Sequence, residues 1–272
     1  MPLLSEFSST DTNESFFMNL HVEIGKVTCQ GISVEELDNN TFIIKLGDYA
    51  IYYVDGKDNR IRCLATSFES FFSTLFNIPF SLFFASKGWC LFHACSLLRE
   101  KTVICISGDK GVGKTTLSYL LAGDQLKLYS DDTLLIRSKT RPFRAHNLMK
   151  LTDQSVSELN IFDVNKERNI IGKRYYSIDD TKIKPSRIES IIFLRRTSDN
   201  KPWVEPIKLP AIKKGMLYHN IVGIGVLPYS IIKRIDMESL FSDIPVSFLH
   251  IPSNFETLKK VKNDIESLVL GG

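Results

Sequence analysis

No two cysteines in this sequence stand at C-x-x-C spacing. The five present (Cys29, Cys63, Cys90, Cys95 and Cys105) are odd in number, irregularly spaced and mostly set in apolar runs. That pattern offers neither a zinc site nor a dithiol redox centre; it reads as reduced, buried thiols in a cytoplasmic protein. Excess charge is lacking as well, since 34 Lys and Arg against 31 Asp and Glu leave only +3. So even a balance gives no support to nucleic acid as a partner. Long apolar runs are also missing. The nearest to one, "FFSTLFNIPFSLFFAS" (71–86), contains Asn77 and Pro79 and stops at Lys87. It falls short of the roughly 20 apolar residues a spanning helix needs, so buried core or a subunit interface is expected there. The opening "MPLLSEFSSTDTNES" lacks the basic-then-apolar order of a secretory signal, which fits a protein that stays inside the cell. There is no internal repeat or low-complexity tract.

What is present is ordinary globular composition, 43% hydrophobic and 24% charged over 272 residues, enough for one large domain or two small ones. Residues 1 to about 18 are polar and expected to be loosely packed. From about 20 to 67, alternating β-branched stretches punctuated by "DNN" and "DGKDN" predict an antiparallel meander. A helical segment broken near Pro79 is expected from Phe68 to Ser86. This divides the chain into a β-rich region with its helical segment, 1–86, and a nucleotide-binding core, 87–272, either separate or continuous. In the core, "WCLFHACSLLRE" and "KTVICISG" predict a hairpin, "KLYSDDTLLIRS" a short strand, and "SRIESIIFLRR", "WVEPIKL" and "PVSFLHIP" three more. "DQSVSELNIF" and "AIKKGMLYHNIV" predict helices, and "SNFETLKKVKNDIESLVL" a capped closing helix.

The second strand of that hairpin runs into "GDKGVGKTT" (108–116), which fits G-x-x-x-x-G-K-[ST]. Strand, glycine loop and helix are the context in which that pattern cradles a nucleotide's phosphates. Gly108, Gly111 and Gly113 allow backbone angles and a close approach that a Cβ would forbid, so the N–H groups of Asp109, Lys110, Val112 and their neighbours can turn inward. Lys114 would bridge the β- and γ-phosphates, Thr115 would present its hydroxyl to Mg²⁺, and Thr116 would close the nucleotide-binding stretch.

"SDD" follows. Asp131 and Asp132 lie 17 and 18 residues after Lys114, enough to traverse one helix and re-enter the sheet beside the loop. Two adjacent carboxylates can divide the work, one holding Mg²⁺ directly or through water and the other taking the proton of an attacking hydroxyl. The sequence does not assign which does which. His93 reads either as a satisfied core histidine or as a group beside the γ-phosphate. Lys173 and Arg174 in "GKRYY" read either as solvated loop charges or as cations that neutralise a phosphoryl group in flight, and Arg195 and Arg196 offer two more.

The ordered set of His93-Ala94, "GDKGVGKTT" and "SDD" resembles the HPr kinase/phosphorylase family, and among its relatives the kinases found with lasso-peptide tailoring gene sets. The resemblance runs from about Leu91 to Ile136 and continues more weakly through "GKRYYSIDD" and "SRIESIIFLRR". It implies an α/β fold with α+β tendency, a mixed sheet like the phosphoenolpyruvate carboxykinase core, and transfer from ATP to a serine hydroxyl with Asp131 or Asp132 as base. Thr116 stands where the bifunctional HPr enzymes carry a glutamate, and their downstream glycine-arginine-asparagine segment is missing. Both departures argue against HPr as substrate and more strongly against the reverse phosphorylase reaction.

The sequence therefore leads to the expectation of a cytoplasmic kinase using ATP, or alternatively GTP, with Mg²⁺, and acting on a serine of a peptide or small protein. A precursor peptide's C-terminal serine is one such acceptor. Two rivals stand beside it: a small-molecule kinase, and a nucleotide-binding regulator without transfer activity. Homo-oligomerisation is left open.

Overall fold

The structure, a computed structural model, describes residues 18–75, 77–137, 141–144, 148–159, 167–170, 173–178 and 183–271. Nearly all of the loosely packed start expected at 1–18 lies outside the described residues, as do Gly172 and the end of the helix expected in "DQSVSELNIF". The chain divides into two compact units, Met1–Leu91 with Ile221–Met237, and Phe92–Asn220 with Glu238–Gly272.

The first unit is built on a five-stranded sheet. Strands β2 (Ile32–Asp38), β3 (Thr41–Leu46), β4 (Ala50–Asp55) and β5 (Arg60–Ala65) form the expected meander, each antiparallel to the next. Strand β1 (Asn19–Ile24) departs from it by pairing parallel with β5, so that β5 lies inside the sheet. Alternation decides the buried face: Phe42 and Ile44, Tyr52 and Val54, and Ile61 and Cys63 all point inward. Helices α1 (Phe68–Leu75) and α2 (Ile78–Ala85) pack on these strands, with Pro79 in the first turn of α2 where its missing N–H costs nothing. Every residue of α2 from Pro79 to Ala85 is buried, which makes this part of the uncharged run core. The Tyr52 hydroxyl donates to the carbonyl of Phe71 at 2.9 Å, tying α1 to the sheet. Among the described residues, no helix is long and apolar enough to cross a membrane.

Strand β6 (Cys90–Phe92) straddles the border of the units. The second unit then opens with the hairpin β7 (Cys95–Arg99) and β8 (Thr102–Ser107), turned at Glu100 with φ 51°. Helix α3 (Lys114–Leu121) follows the glycine loop. The single strand expected in "KLYSDDTLLIRS" is two, β9 (Lys127–Ser130) and β10 (Leu134–Arg137), parted at Asp131–Thr133. Strand β10 pairs antiparallel with β11 (Arg141–Arg144). A three-stranded antiparallel sheet comprises β12 (Leu148–Leu151), β13 (Glu167–Ile170) and β14 (Lys173–Ser177), with α4 (Asp153–Glu158) between β12 and β13 in the chain.

Strands β15 (Arg187–Thr197), β16 (Trp203–Pro206) and β17 (Val246–Pro252) complete a six-stranded sheet of order β16-β17-β15-β8-β7-β9. Its centre, β17-β15-β8, is parallel and its flanks are antiparallel, so the sheet is mixed, as expected. Helices α5 (Pro210–His219), α6 (Tyr229–Ile232) and α7 (Met237–Phe241) lie between β16 and β17 in the chain, α6 within the segment assigned to the first unit. The closing helix is two pieces, α8 (Phe255–Lys260) and α9 (Lys262–Gly271), separated at Val261, and the Asn254 side chain caps α8 by accepting from Thr257 N–H at 3.0 Å. Leu117 and Leu121 of α3 and Leu258, Ile265 and Val269 of α8 and α9 pack with Ile104, Ile106, Ile192, Leu194, Leu249 and Ile251 of the sheet. Val112 of the glycine loop packs against this core.

Candidate active site

The glycine loop leaves β8 and enters α3 through three residues in left-handed backbone: Gly108 at φ 136°, Gly111 at 82° and Gly113 at 101°. The first and third have a second reason to be glycine. A Cβ on Gly108 would come 3.0 Å from the carbonyl of Leu194, and one on Gly113 would run into the Arg196 guanidinium. Arg196 occupies that space because Nε donates to the carbonyl of Val112 and Nη1 to the carbonyl of Pro252, both at 2.8 Å. It is a clamp on the loop's backbone from the ends of β15 and β17. Its neighbour Arg195 lies over the Phe248 ring, 3.4 Å from the centroid.

Lys114 is buried, and its ammonium donates to the loop's own carbonyls, Gly108 O at 2.9 Å and Asp109 O at 3.2 Å. Asp109, Lys110 and Gly111 form the exposed tip, and Val112 N–H closes it onto Asp109 O at 3.3 Å. Thr116 turns away from the loop to share a hydrogen bond with Ser155 of α4 at 3.0 Å.

Thr115 points the other way. Its hydroxyl donates to Asp131 Oδ1 at 2.7 Å, so the carboxylate re-enters beside the loop, where the spacing from Lys114 had placed it. Asp131 is buried and heavily bonded: Cys95 Sγ donates to the same oxygen at 2.9 Å and Lys150 N–H to Oδ2 at 2.8 Å. Burial first, and Asp132 second, push its carboxyl up to about 6, against the pull of those donors. Asp132 takes the opposite exit. With φ 63° its backbone turns left-handed between β9 and β10, and its carboxylate, about half exposed, comes 3.9 Å from His93 Nδ1.

His93 occupies the break between β6 and β7. Its N–H donates to Asn220 O at 2.8 Å, and its carbonyl accepts from Ser107 Oγ at 2.7 Å. Burial holds the ring's affinity for a proton below the usual histidine value; Asp132 opposes that, and Lys114 adds to it. His93 is thus held by its backbone, through Asn220 and Ser107, while its ring faces Asp132.

Lys173 and Arg174 begin β14, with Lys173 opposite Ile170 and Arg174 opposite Leu151 and Asn169. Their side chains lie outside the described residues. Two residues on the same strand pair were not foreseen. Lys150 serves Asp131 through its backbone, and Tyr175, opposite Lys150, has its phenol raised by burial and then by Asp132 and Asp131. Cys95, read only as a reduced, buried thiol, reaches Asp131, and Arg196, offered as a cation for phosphate, binds the loop carbonyl of Val112. Among the described residues, no group of three or more His, Cys, Asp or Glu side chains could hold a metal ion. A cation here would depend on Thr115, the aspartates and its own phosphate ligands.

No family model and no curated protein matches this chain. Among solved structures it is similar to the HPr(Ser) kinase/phosphatase from Coxiella burnetii, at 18% sequence identity, covering 66% of this chain and 88% of that one, with a TM-score of 0.31. A likeness at that score carries neither fold nor activity across to this chain.

Proposed function

We propose that the chain is a Mg²⁺- and ATP-dependent kinase of the HPr-kinase-like type, transferring the γ-phosphoryl group to a serine hydroxyl of a peptide or small protein. The observation that carries this reading is the division of the tandem acid: Asp131 buried against Thr115, Asp132 turned out beside His93. The residues fit a Mg²⁺-nucleotide. Thr115 spends its proton on Asp131, which leaves its oxygen lone pairs for the ion. Of about four lone-pair sites on a carboxylate, three on Asp131 are taken by Thr115, Cys95 and Lys150, leaving about one for the ion or its water. When bound, Mg²⁺ offsets the charge of the phosphate oxygens.

The loop's N–H groups and Lys114 would bind the β- and γ-phosphates, with Lys114 exchanging its two loop carbonyls for phosphate oxygens. Asp132, the accessible carboxylate, would accept the serine proton, and His93, favoured neutral by burial, would orient it. Lys173 and Arg174 would supply positive charge to the transferring group. The serine acceptor and the choice of ATP rest on the sequence resemblance.

The test is transfer of the terminal phosphate from labelled ATP, with Mg²⁺, to a panel of serine peptides that includes peptides ending in serine. Expected is label on serine, reduced about 10²- to 10⁴-fold in Asp132→Asn with nucleotide binding kept, and abolished with binding in Lys114→Ala. Tight nucleotide binding with no acceptor labelled would replace this reading by the regulator.

A further inference from the structure

Cys95 stands on β7 opposite Ile106 of β8, the strand that feeds the glycine loop, and is fully buried. Cys90 and Cys105 are equally buried, and burial alone raises their thiols. Cys95 differs because its sulfur reaches two groups of the candidate site, Asp131 Oδ1 at 2.9 Å and Thr115 Oγ1 at 3.5 Å. Facing a carboxylate oxygen, which can only accept when ionised, the sulfur is the donor of the pair with Asp131.

We infer that Cys95 is a positioning residue for the metal-side carboxylate: its S–H, with the Thr115 hydroxyl and the Lys150 N–H, fixes the plane of Asp131 and leaves one defined lone pair for Mg²⁺. The inference rests on the proposed Mg²⁺-nucleotide site. Three donors over two oxygens stop the carboxylate from rotating. Without the thiol, Oδ1 is held by Thr115 alone, and Thr115 must then both orient Asp131 and face the ion. Outer partners of this kind set metal affinity without touching the metal.

The experiment uses the full chain and follows binding of a fluorescent ATP analogue as Mg²⁺ is titrated, for wild type, Cys95→Ser, Cys95→Ala and Cys95→Val. Removing the donor, in Ala and Val, is expected to raise the half-saturating Mg²⁺ about tenfold, with binding in EDTA unchanged. Ser keeps an O–H donor and is expected to stay within about threefold of wild type. Val preserves the volume if the Ala variant fails to fold. If Ala or Val lowers the melting temperature yet leaves the Mg²⁺ midpoint at the wild-type value, Cys95 is only packing and the inference is overturned. If wild type itself binds nucleotide without any response to Mg²⁺, it is the kinase reading that fails.

Discussion

Gly113→Ala and Gly111→Ala change the same loop by the same methyl group, and the structure separates their costs. Both residues are left-handed, at φ 101° and 82°, so each alanine carries a backbone penalty of about 1–2 kcal/mol. At Gly111 that is all, because nothing lies within 4 Å of the added Cβ. At Gly113 the Cβ would occupy the place of the Arg196 guanidinium. A long side chain usually swings aside at little cost, but this one is held at both Nε and Nη1. Moving it breaks at least one hydrogen bond from a charged donor, worth about 1.5–3 kcal/mol. Gly113→Ala should therefore cost about 2.5–5 kcal/mol, against about 1–2 for Gly111→Ala. Guanidinium unfolding followed by circular dichroism measures both. In an Arg196→Met background the cost of Gly113→Ala should fall to about that of Gly111→Ala, the coupling that a double-mutant cycle isolates. Equal losses for the two alanines in the wild-type background would refute the clamp.

Asp131 supplies a pH test in EDTA. Its carboxyl is raised from 3.8 to about 6, so the folded state holds that proton more tightly than the unfolded chain. The stabilisation is complete below the ordinary value and is lost as pH rises through about 6, up to about 3 kcal/mol. Asp131→Asn should accordingly gain stability relative to wild type between about pH 4 and pH 8, and thermal melts showing a constant difference would contradict the raised value. Asn254→Ala removes the cap of α8 and should lower unfolding free energy by about 1 kcal/mol, read from the denaturant midpoint.

How much of this could be read in the sequence depends on whether the determinant is local. The glycine loop was legible because its pattern encodes backbone conformation directly, and positive φ falls on Gly108, Gly111 and Gly113. The meander was legible from period-2 alternation, but alternation carries no partner, and the parallel pairing of β1 with β5 was not. The run "KLYSDDTLLIRS" hid its division because its left-handed residue is Asp132, not glycine. The break at Val261 falls where no proline or glycine stands. Cys95 acts on a residue 36 positions away, and Arg196 on one 84 positions away; only the assembled sheet brings either pair together. Asp131 was within reach of sequence reasoning because the length of one helix sets where the chain returns.

The turn at Asp132 explains how neighbouring acids come to lie in different surroundings. On a regular strand, successive side chains point to opposite faces, and one of the two carboxylates would face away from the loop. Here β9 ends at Ser130, Asp131 enters the core against Thr115, and Asp132 reverses the chain with φ 63°. Thr133 N–H closes the reversal onto Asp131 O at 2.7 Å, and Ser130 Oγ holds Thr133 O at 2.7 Å. Aspartate, with asparagine, tolerates positive φ better than most residues with a Cβ, and the hydrogen bond across this single residue makes the turn a γ-turn of the positive-φ kind, a rare and strained form. The turn and the acid are therefore compatible in one residue, and the substitution that isolates the charge is Asp132→Asn. Asp132→Ala would remove the carboxylate and also strain the backbone that aims Asp131, by about 1 kcal/mol or more. If Asp132 acts as the base, both variants should lose transfer, but only Ala should also weaken Mg²⁺-dependent nucleotide binding. A loss of that binding in Asp132→Asn would place Asp132 on the metal, and the division of labour argued for the pair would have to be reversed.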